Sequence, residues 1–213
     1  MVIAALFVTC LITANIIAVK LIGIGPLVLP AAVVVFPLSY IFGDILTEVY
    51  GYKLARRVIW LGFFCNLLFV IFAGLGQILP AASFWTGQGA YESILGFAPR
   101  LLVASFLGYL AGEFANSFVL AKMKIITKGR WLWTRTIGST VVGQALDTTI
   151  FIVVAFSGIT SLPILILSHW VAKVTIEAAF TPVTYLVVNY LKRKDSVDTY
   201  DNKTNFNPFS MAD

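Results

Sequence analysis

The amino-acid sequence predicts an all-α polytopic membrane protein with six transmembrane helices. Three observations lead there. Of 213 residues, 59% are hydrophobic and only 12% charged. Six apolar runs are each long enough to cross a bilayer. The lysines and arginines gather on one side of those runs. Soluble domains carry about 25% charged residues, so the composition argues against a soluble enzyme or a nucleic-acid-binding domain, and a mean hydropathy of +0.91 agrees. The net charge of +5 is not a nucleic-acid footprint, because the bases cluster at the ends of apolar runs. Cys10 and Cys65 lie inside such runs, where buried thiols are expected in place of a disulfide or metal site. No cofactor is expected.

The first run covers residues 2–22. It is too long for the apolar region of a signal peptide and lacks a small-residue cleavage site, so a retained span is expected. The others cover 27–50, 58–79, 98–121, 136–157 and 163–191. Each suits a hydrocarbon core of about 30 Å. None shows the period-two alternation of barrel strands.

Lys53, Arg56 and Arg57 flank the second and third runs. Lys122, Lys124, Lys128, Arg130 and Arg135 surround the fourth connection, and Lys192, Arg193 and Lys194 follow the sixth run. The opposite loops, 23–26, 80–97 and 158–162, hold no Lys or Arg. This asymmetry puts both termini in the cytoplasm. Residues 1–192 then form one six-helix domain, and 193–213 a polar tail expected to be disordered.

Loop 81–97 carries Trp85, Tyr91 and Phe97 and is expected to act as an interfacial cap or lid. Trp131 and Trp133 beside basic residues suggest a membrane-surface anchor. Gly108 and Gly112 form a GxxxG, and Ala14 and Ala18 a second small-residue pair. Both permit close helix approach, within the bundle, in a homodimer, or against another subunit.

Function is sought in the polar residues inside the spans. The stretch 33–51, VVVFPLSYIFGDILTEVYG, ends with Asp44 and Glu48, four apart and so on one helical face. An intramembrane carboxylate costs about 2.5–3.5 kcal/mol on insertion scales. Glu113 and Asn116 stand i, i+3. Thr140, Gln144 and Asp147 follow i, i+4, i+7. His169, Lys173 and Glu177 follow i, i+4, i+8. Asn15, Lys20, Asn66 and Arg100 complete the inventory. Such polar ridges must point inward and meet. Buried ion pairs alone are weak evidence of function. Here five acidic residues face three basic ones, and Lys20 and Arg100 can reach water at the outer ends. A cavity that binds a small polar molecule is the expected outcome. His169 is expected to be an interfacial histidine. No HExxH, CxxC pair, P-loop or GxGxxG is present, and no enzyme is expected.

Four blocks carry a family resemblance: FPLSYIFGDILTEVYGYKLAR, GEFANSFVLAKMK, STVVGQALDT and HWVAKVTIEAAFTP. They resemble the vitamin uptake transporter family, whose YhhQ-type members are queuosine precursor transporters. The resemblance spans nearly all six runs. It implies a fold like the substrate-binding subunits of energy-coupling factor transporters and residence in a bacterial inner membrane. It also implies uptake of 7-cyano-7-deazaguanine, its aminomethyl analogue or queuine. Against such a base, Glu113, Asp147 or Glu177 could accept its N–H groups, and Lys173, Asn116 or Gln144 could donate to its carbonyl. Phe36 could stack on the ring, and Asp44, Glu48 and Arg100 complete the candidate set. An alternative is a binding subunit for another purine-like or vitamin-like solute, energised by a separate ATPase module. The expected partners are the small molecule and the lipid bilayer, with a homodimer or energising subunit as further options.

Overall fold

The computed structural model describes residues 1–24, 27–96, 99–158 and 162–210; the side chains of 21, 24, 27–29 and 99–101 lie outside that description. The chain opens with α1, Val2–Ile17. Its 16 residues rise about 24 Å at 1.5 Å each, short of a hydrocarbon core of about 30 Å. The expected span 2–22 is therefore cut short. The chain instead turns into an antiparallel hairpin of β1, Leu21–Ile24, and β2, Leu27–Pro30, with Leu21 opposite Pro30 and Ile24 opposite Leu27. Gly23 weakens a helix here, and the β-branched Val19, Ile22, Ile24 and Val28 favour strand. An apolar run of this length does not distinguish the two states by periodicity.

A single 3-10 turn, Ala31–Val34, leads into α2, Phe36–Ile45, with Pro37 in the first turn, where its missing N–H costs no hydrogen bond. The helix widens into a π-helical turn, Leu46–Tyr50, and stops at Gly51 with φ 87°. Then follow α3, Tyr52–Ile78, α4, Gln88–Leu95, α5, Pro99–Ile126, α6, Leu132–Phe156, and α7, Leu162–Asp195. Among the described residues, five helical segments are long and apolar enough to cross a membrane: Ala31–Tyr50, Tyr52–Ile78, Leu102–Ile126, Leu132–Phe156 and Leu162–Asp195. The chain is a multi-pass α-helical membrane protein.

The segment 36–50 is the hub. Phe7 and Leu11 of α1 pack with Leu46, Ile59 and Tyr109 on one side of it. Val188 of α7 and Leu132 of α6 pack with Ile41, Ile45 and Val49 on the other. α5 and α6 form the closest helix pair. A Cβ on Gly112 would stand 2.7 Å from the Asp147 Cβ, and one on Gly143 would stand 2.8 Å from the Asn116 Cβ. The GxxxG thus serves packing inside this chain. Ala14 is buried in the bundle as well.

Two expectations change. The segment 80–96 is no lid over the bundle interior. α4 lies along the end of α3, where the Tyr91 hydroxyl donates to the Ala73 carbonyl at 2.9 Å and Gln88 Nε2 to the Gln77 carbonyl at 3.2 Å. Phe97 falls outside the described residues. The tail, expected to be disordered, folds back over the basic end of the bundle. The Thr199 N–H donates to the Val49 carbonyl at 3.1 Å, and Asp201 Oδ2 accepts the Tyr52 N–H at 3.0 Å. Arg56 donates to the Asn205 and Asn207 carbonyls, and the Trp60 indole to the Pro208 carbonyl. A polar composition suggests disorder. It does not reveal that Asp201 can cap the N-terminus of α3, where orphan N–H groups and the helix dipole favour a carboxylate.

Candidate functional site: a cavity among α1, α2, α5, α6 and α7

A cavity of about 180 Å³ lies in the half of the bundle away from Lys124, Arg135 and Lys192. By the same measure a single water needs about 10–15 Å³, so there is room for a small molecule. Five of the candidates read from the sequence line it: Phe36 from α2, Glu113 from α5, Asp147 from α6, and Lys173 and Glu177 from α7.

Lys173 Nζ donates to Asp147 Oδ2 at 2.5 Å, joining α7 to α6. Helical spacing left Lys173 free to pair with Glu177 on its own helix; the partner is on the neighbouring helix. The same ammonium stands 4.5 Å from the centroid of the Phe36 ring, within cation–π range. The Phe36 and Tyr40 rings are 5.0 Å apart and continue that aromatic wall.

Glu177 is held from α6. The Thr140 hydroxyl donates to Oε1 at 2.5 Å and Gln144 Nε2 to Oε2 at 3.4 Å. The stripe Thr140, Gln144, Asp147 therefore works as one unit. Its first two members orient a carboxylate and its third fixes an ammonium. The Trp170 indole N–H donates to the Val141 carbonyl at 3.0 Å and locks the two helices in register. Glu113 is 1% exposed, and its Oε2 has no hydrogen-bond partner among the described residues.

The other candidates stand elsewhere. Asp44 is buried and accepts a hydrogen bond from Asn116 at 2.8 Å; neither lines the cavity. Below them the Thr47 hydroxyl donates to the Ser117 hydroxyl at 3.1 Å, so a seam of paired polar groups runs between α2 and α5. Glu48 ends that seam. Its Oε1 lies 2.7 Å from Arg135 Nη2, 2.7 Å from Lys192 Nζ and 3.7 Å from Lys124 Nζ, and the side chain is fully buried. Four residues of helix rise are about 6 Å, so a shared face still carries Glu48 a full turn away from the cavity. Gln144 reaches Glu177 but not the cavity. The Arg100 side chain lies outside the described residues.

The tail closes the basic cluster. Asp198 Oδ1 is 2.6 Å from Lys124 and 2.9 Å from Lys192. Partial burial pushes the Asp198 carboxyl up. The hydrogen bonds and charges of the two lysines outweigh that and hold it below the usual carboxylate value.

Tyr40, Thr148, Asn15 and His169 also face the cavity. Tyr40 was legible in principle, since it stands four residues from both Phe36 and Asp44. Among the described residues no group of His, Cys, Asp and Glu could hold a metal ion. The arrangement offers fixed acceptors, a fixed cation and two aromatic rings tilted 41° to each other, a set that can hold a small molecule with polar edges.

Residues 30–187 match the family model described as "Putative vitamin uptake transporter". A Bacillus subtilis (strain 168) protein named "Probable queuosine precursor transporter" is 33% identical over 180 residues, covering 82% of this chain and 78% of that protein. An Escherichia coli (strain K12) protein named "Queuosine precursor transporter" is 27% identical over 152 residues, covering 71% and 65%. No solved structure matches the chain. The match covers α2 through most of α7, which with α1 build the cavity, and the protein is a transporter rather than an enzyme: the chain belongs to the vitamin uptake transporter family.

Proposed function

We propose that this protein imports queuosine precursors and receives their 7-deazaguanine base in the cavity among α1, α2, α5, α6 and α7. The observation that carries this reading is the Lys173–Asp147 pair set against Phe36 and beside the fixed Glu177 carboxylate. A deazaguanine presents adjacent N–H donors and a carbonyl on one flat edge. Glu177 accepts the donors, Lys173 donates to the carbonyl, and Phe36 and Tyr40 face the ring. Each charge-assisted hydrogen bond contributes roughly 1.5–3 kcal/mol. The names of the two relatives support the substrate class. Within that class, 7-cyano-7-deazaguanine, its aminomethyl analogue and queuine all present the same edge.

The topology belongs to this reading. α1 counts as a sixth, short span, and both termini face the cytoplasm of a bacterial inner membrane. Lys124, Arg135 and Lys192 meet at one end of the bundle, which supports a cytoplasmic placement of that end. The six-helix resemblance to energy-coupling factor subunits rests on the family likeness. On the α1 face considered for docking an energising module, Ala14 is buried and Ala18 lines the cavity.

The test is uptake of labelled 7-cyano-7-deazaguanine by liposomes containing the full chain alone. Saturable uptake, competed by unlabelled queuine and not by adenine, supports the reading. Absence of both uptake and exchange, with protein shown to be incorporated, refutes it.

A further inference from the structure

Three carboxylates, Glu113, Asp147 and Glu177, share the cavity wall with one lysine, and that lysine is committed to Asp147. Like charges crowded into a low-dielectric site cannot all be ionised. An unpaired carboxylate at membrane depth is costly. The partners sort the carboxylates. Asp147 has Lys173, Glu177 has Thr140 and Gln144, and nearby Asp44 has Asn116. Of these four carboxylates, Glu113 is the one that presents a buried oxygen with no donor and no ion pair among the described residues.

We propose that Glu113 carries a proton through the transport cycle, and that base import is thereby coupled to proton entry; this rests on the importer reading above. Glu113 faces Asp44 and Tyr40 from α2, Asp147 from α6 and Glu177 from α7. Tyr109 stands on its own helix, and Lys173 and His169 complete the titratable groups of the wall. With the cavity closed around the base, the neutral acid avoids the cost of a lone buried charge. Its Oε2 lies beside Gly43 in the wall of the cavity, and a proton there is a donor with no partner of its own. Glu113 takes its proton from water on the outer side and keeps it while base is bound. It releases the proton to water on the inner side, after which the carboxylate must be reprotonated from outside. The polar seam of Asp44, Asn116, Thr47 and Ser117 leads from Glu113 toward the basic end. It gives a proton hydrogen-bonding groups along α2, the π-helical turn and α5. One base and one proton cross together.

The experiment uses liposomes holding the full chain alone, with the membrane potential clamped. Uptake of labelled 7-cyano-7-deazaguanine is measured with and without an outside-acid gradient of about one pH unit. Coupling to one proton permits accumulation of a neutral base up to about tenfold. The wild-type protein should accumulate base several-fold under the gradient. Glu113→Gln should show a ratio of one, whatever uptake remains, while Asp147→Asn should take up less base yet keep a ratio above one. Because the readout is a ratio, a general loss of function does not imitate it. If Glu113→Gln cannot be incorporated, a pH dye inside wild-type liposomes decides: adding base outside should acidify the lumen. Exchange of base without gradient-driven accumulation, or an undiminished ratio in Glu113→Gln, overturns coupling while leaving the importer intact. Absence of exchange altogether overturns both.

Discussion

Lys173 on α7 and Asp147 on α6 meet at 2.5 Å in the cavity wall, and the pair fixes one donor and one acceptor in the place where a base would be read. Removing either partner leaves the other buried without its counter-charge. We expect Asp147→Asn and Lys173→Gln each to weaken binding of a deazaguanine roughly tenfold to a hundredfold, the equivalent of about 1.5–3 kcal/mol. The double variant should lose less than the sum, because the two side chains act as a unit. Titration calorimetry of the purified protein measures all four corners of the cycle. Strict additivity would show that the pair does not act on the ligand together.

Glu48 should behave differently. It is fully buried under three cations at the far end of the polar seam and does not line the cavity. Glu48→Gln leaves those cations around a neutral amide, and losing one member of a buried ion cluster costs about 3–5 kcal/mol. The thermal midpoint in detergent should fall by several degrees, whereas affinity for the base should stay within twofold. A large loss of affinity with an unchanged midpoint would return Glu48 to the binding site.

This contrast marks what the sequence reveals. The helical stripe Thr140, Gln144, Asp147 and the carboxylates on α5 and α7 are legible because a polar ridge in an apolar helix has nowhere else to go. The division of labour along α2 is not. Asp44 and Glu48 share a face by spacing, but which turn meets the cavity and which meets Arg135 depends on the depth of packing between helices. The hairpin was hidden because an apolar strand and an apolar helix carry the same composition. The docked tail was hidden because its partners, Tyr52, Arg56 and Trp60, are about 150 residues away in sequence.

Gly112 sits where α5 and α6 approach most closely, and a Cβ there would meet the Asp147 Cβ at 2.7 Å and the Gly143 carbonyl at 3.1 Å. Gly112→Val should therefore lower the thermal midpoint and, by displacing Asp147, weaken base binding as well. Gly74→Ala is the control, since a Cβ at Gly74 meets nothing within 4 Å. It should be neutral or gain a few tenths to about 1 kcal/mol, as alanine suits a helix interior better than glycine. Equal midpoints for the two variants would contradict the packing role of Gly112.

The tail contact has a pH signature. The Asp198 carboxyl is held below its usual value by Lys124 and Lys192 against the opposing effect of burial. A depressed value in the folded state adds stability that is present above the free carboxylate's pKa of about 3.9 and is lost as the pH falls through the folded value. As far as Asp198 sets it, docking should be flat from about pH 5 to 8 and weaken only below about pH 4. Trp60 reports on it, because its indole bonds Pro208 and its ring lies 5.8 Å from Phe209. Its fluorescence should shift only in the acid range, and Asp198→Asn should remove that part of the transition. A Trp60 transition centred near neutrality would point to a different latch.

The central claim is that Glu177, fixed by Thr140 and Gln144, reads the N–H edge of a deazaguanine in this cavity. The most direct measurement is equilibrium binding of 7-cyano-7-deazaguanine to the purified wild-type protein, Glu177→Gln and Glu48→Gln. The account predicts saturable binding to wild type and to Glu48→Gln, with at least about tenfold weaker binding to Glu177→Gln. Equal affinity in wild type and Glu177→Gln, or loss confined to Glu48→Gln, would contradict it.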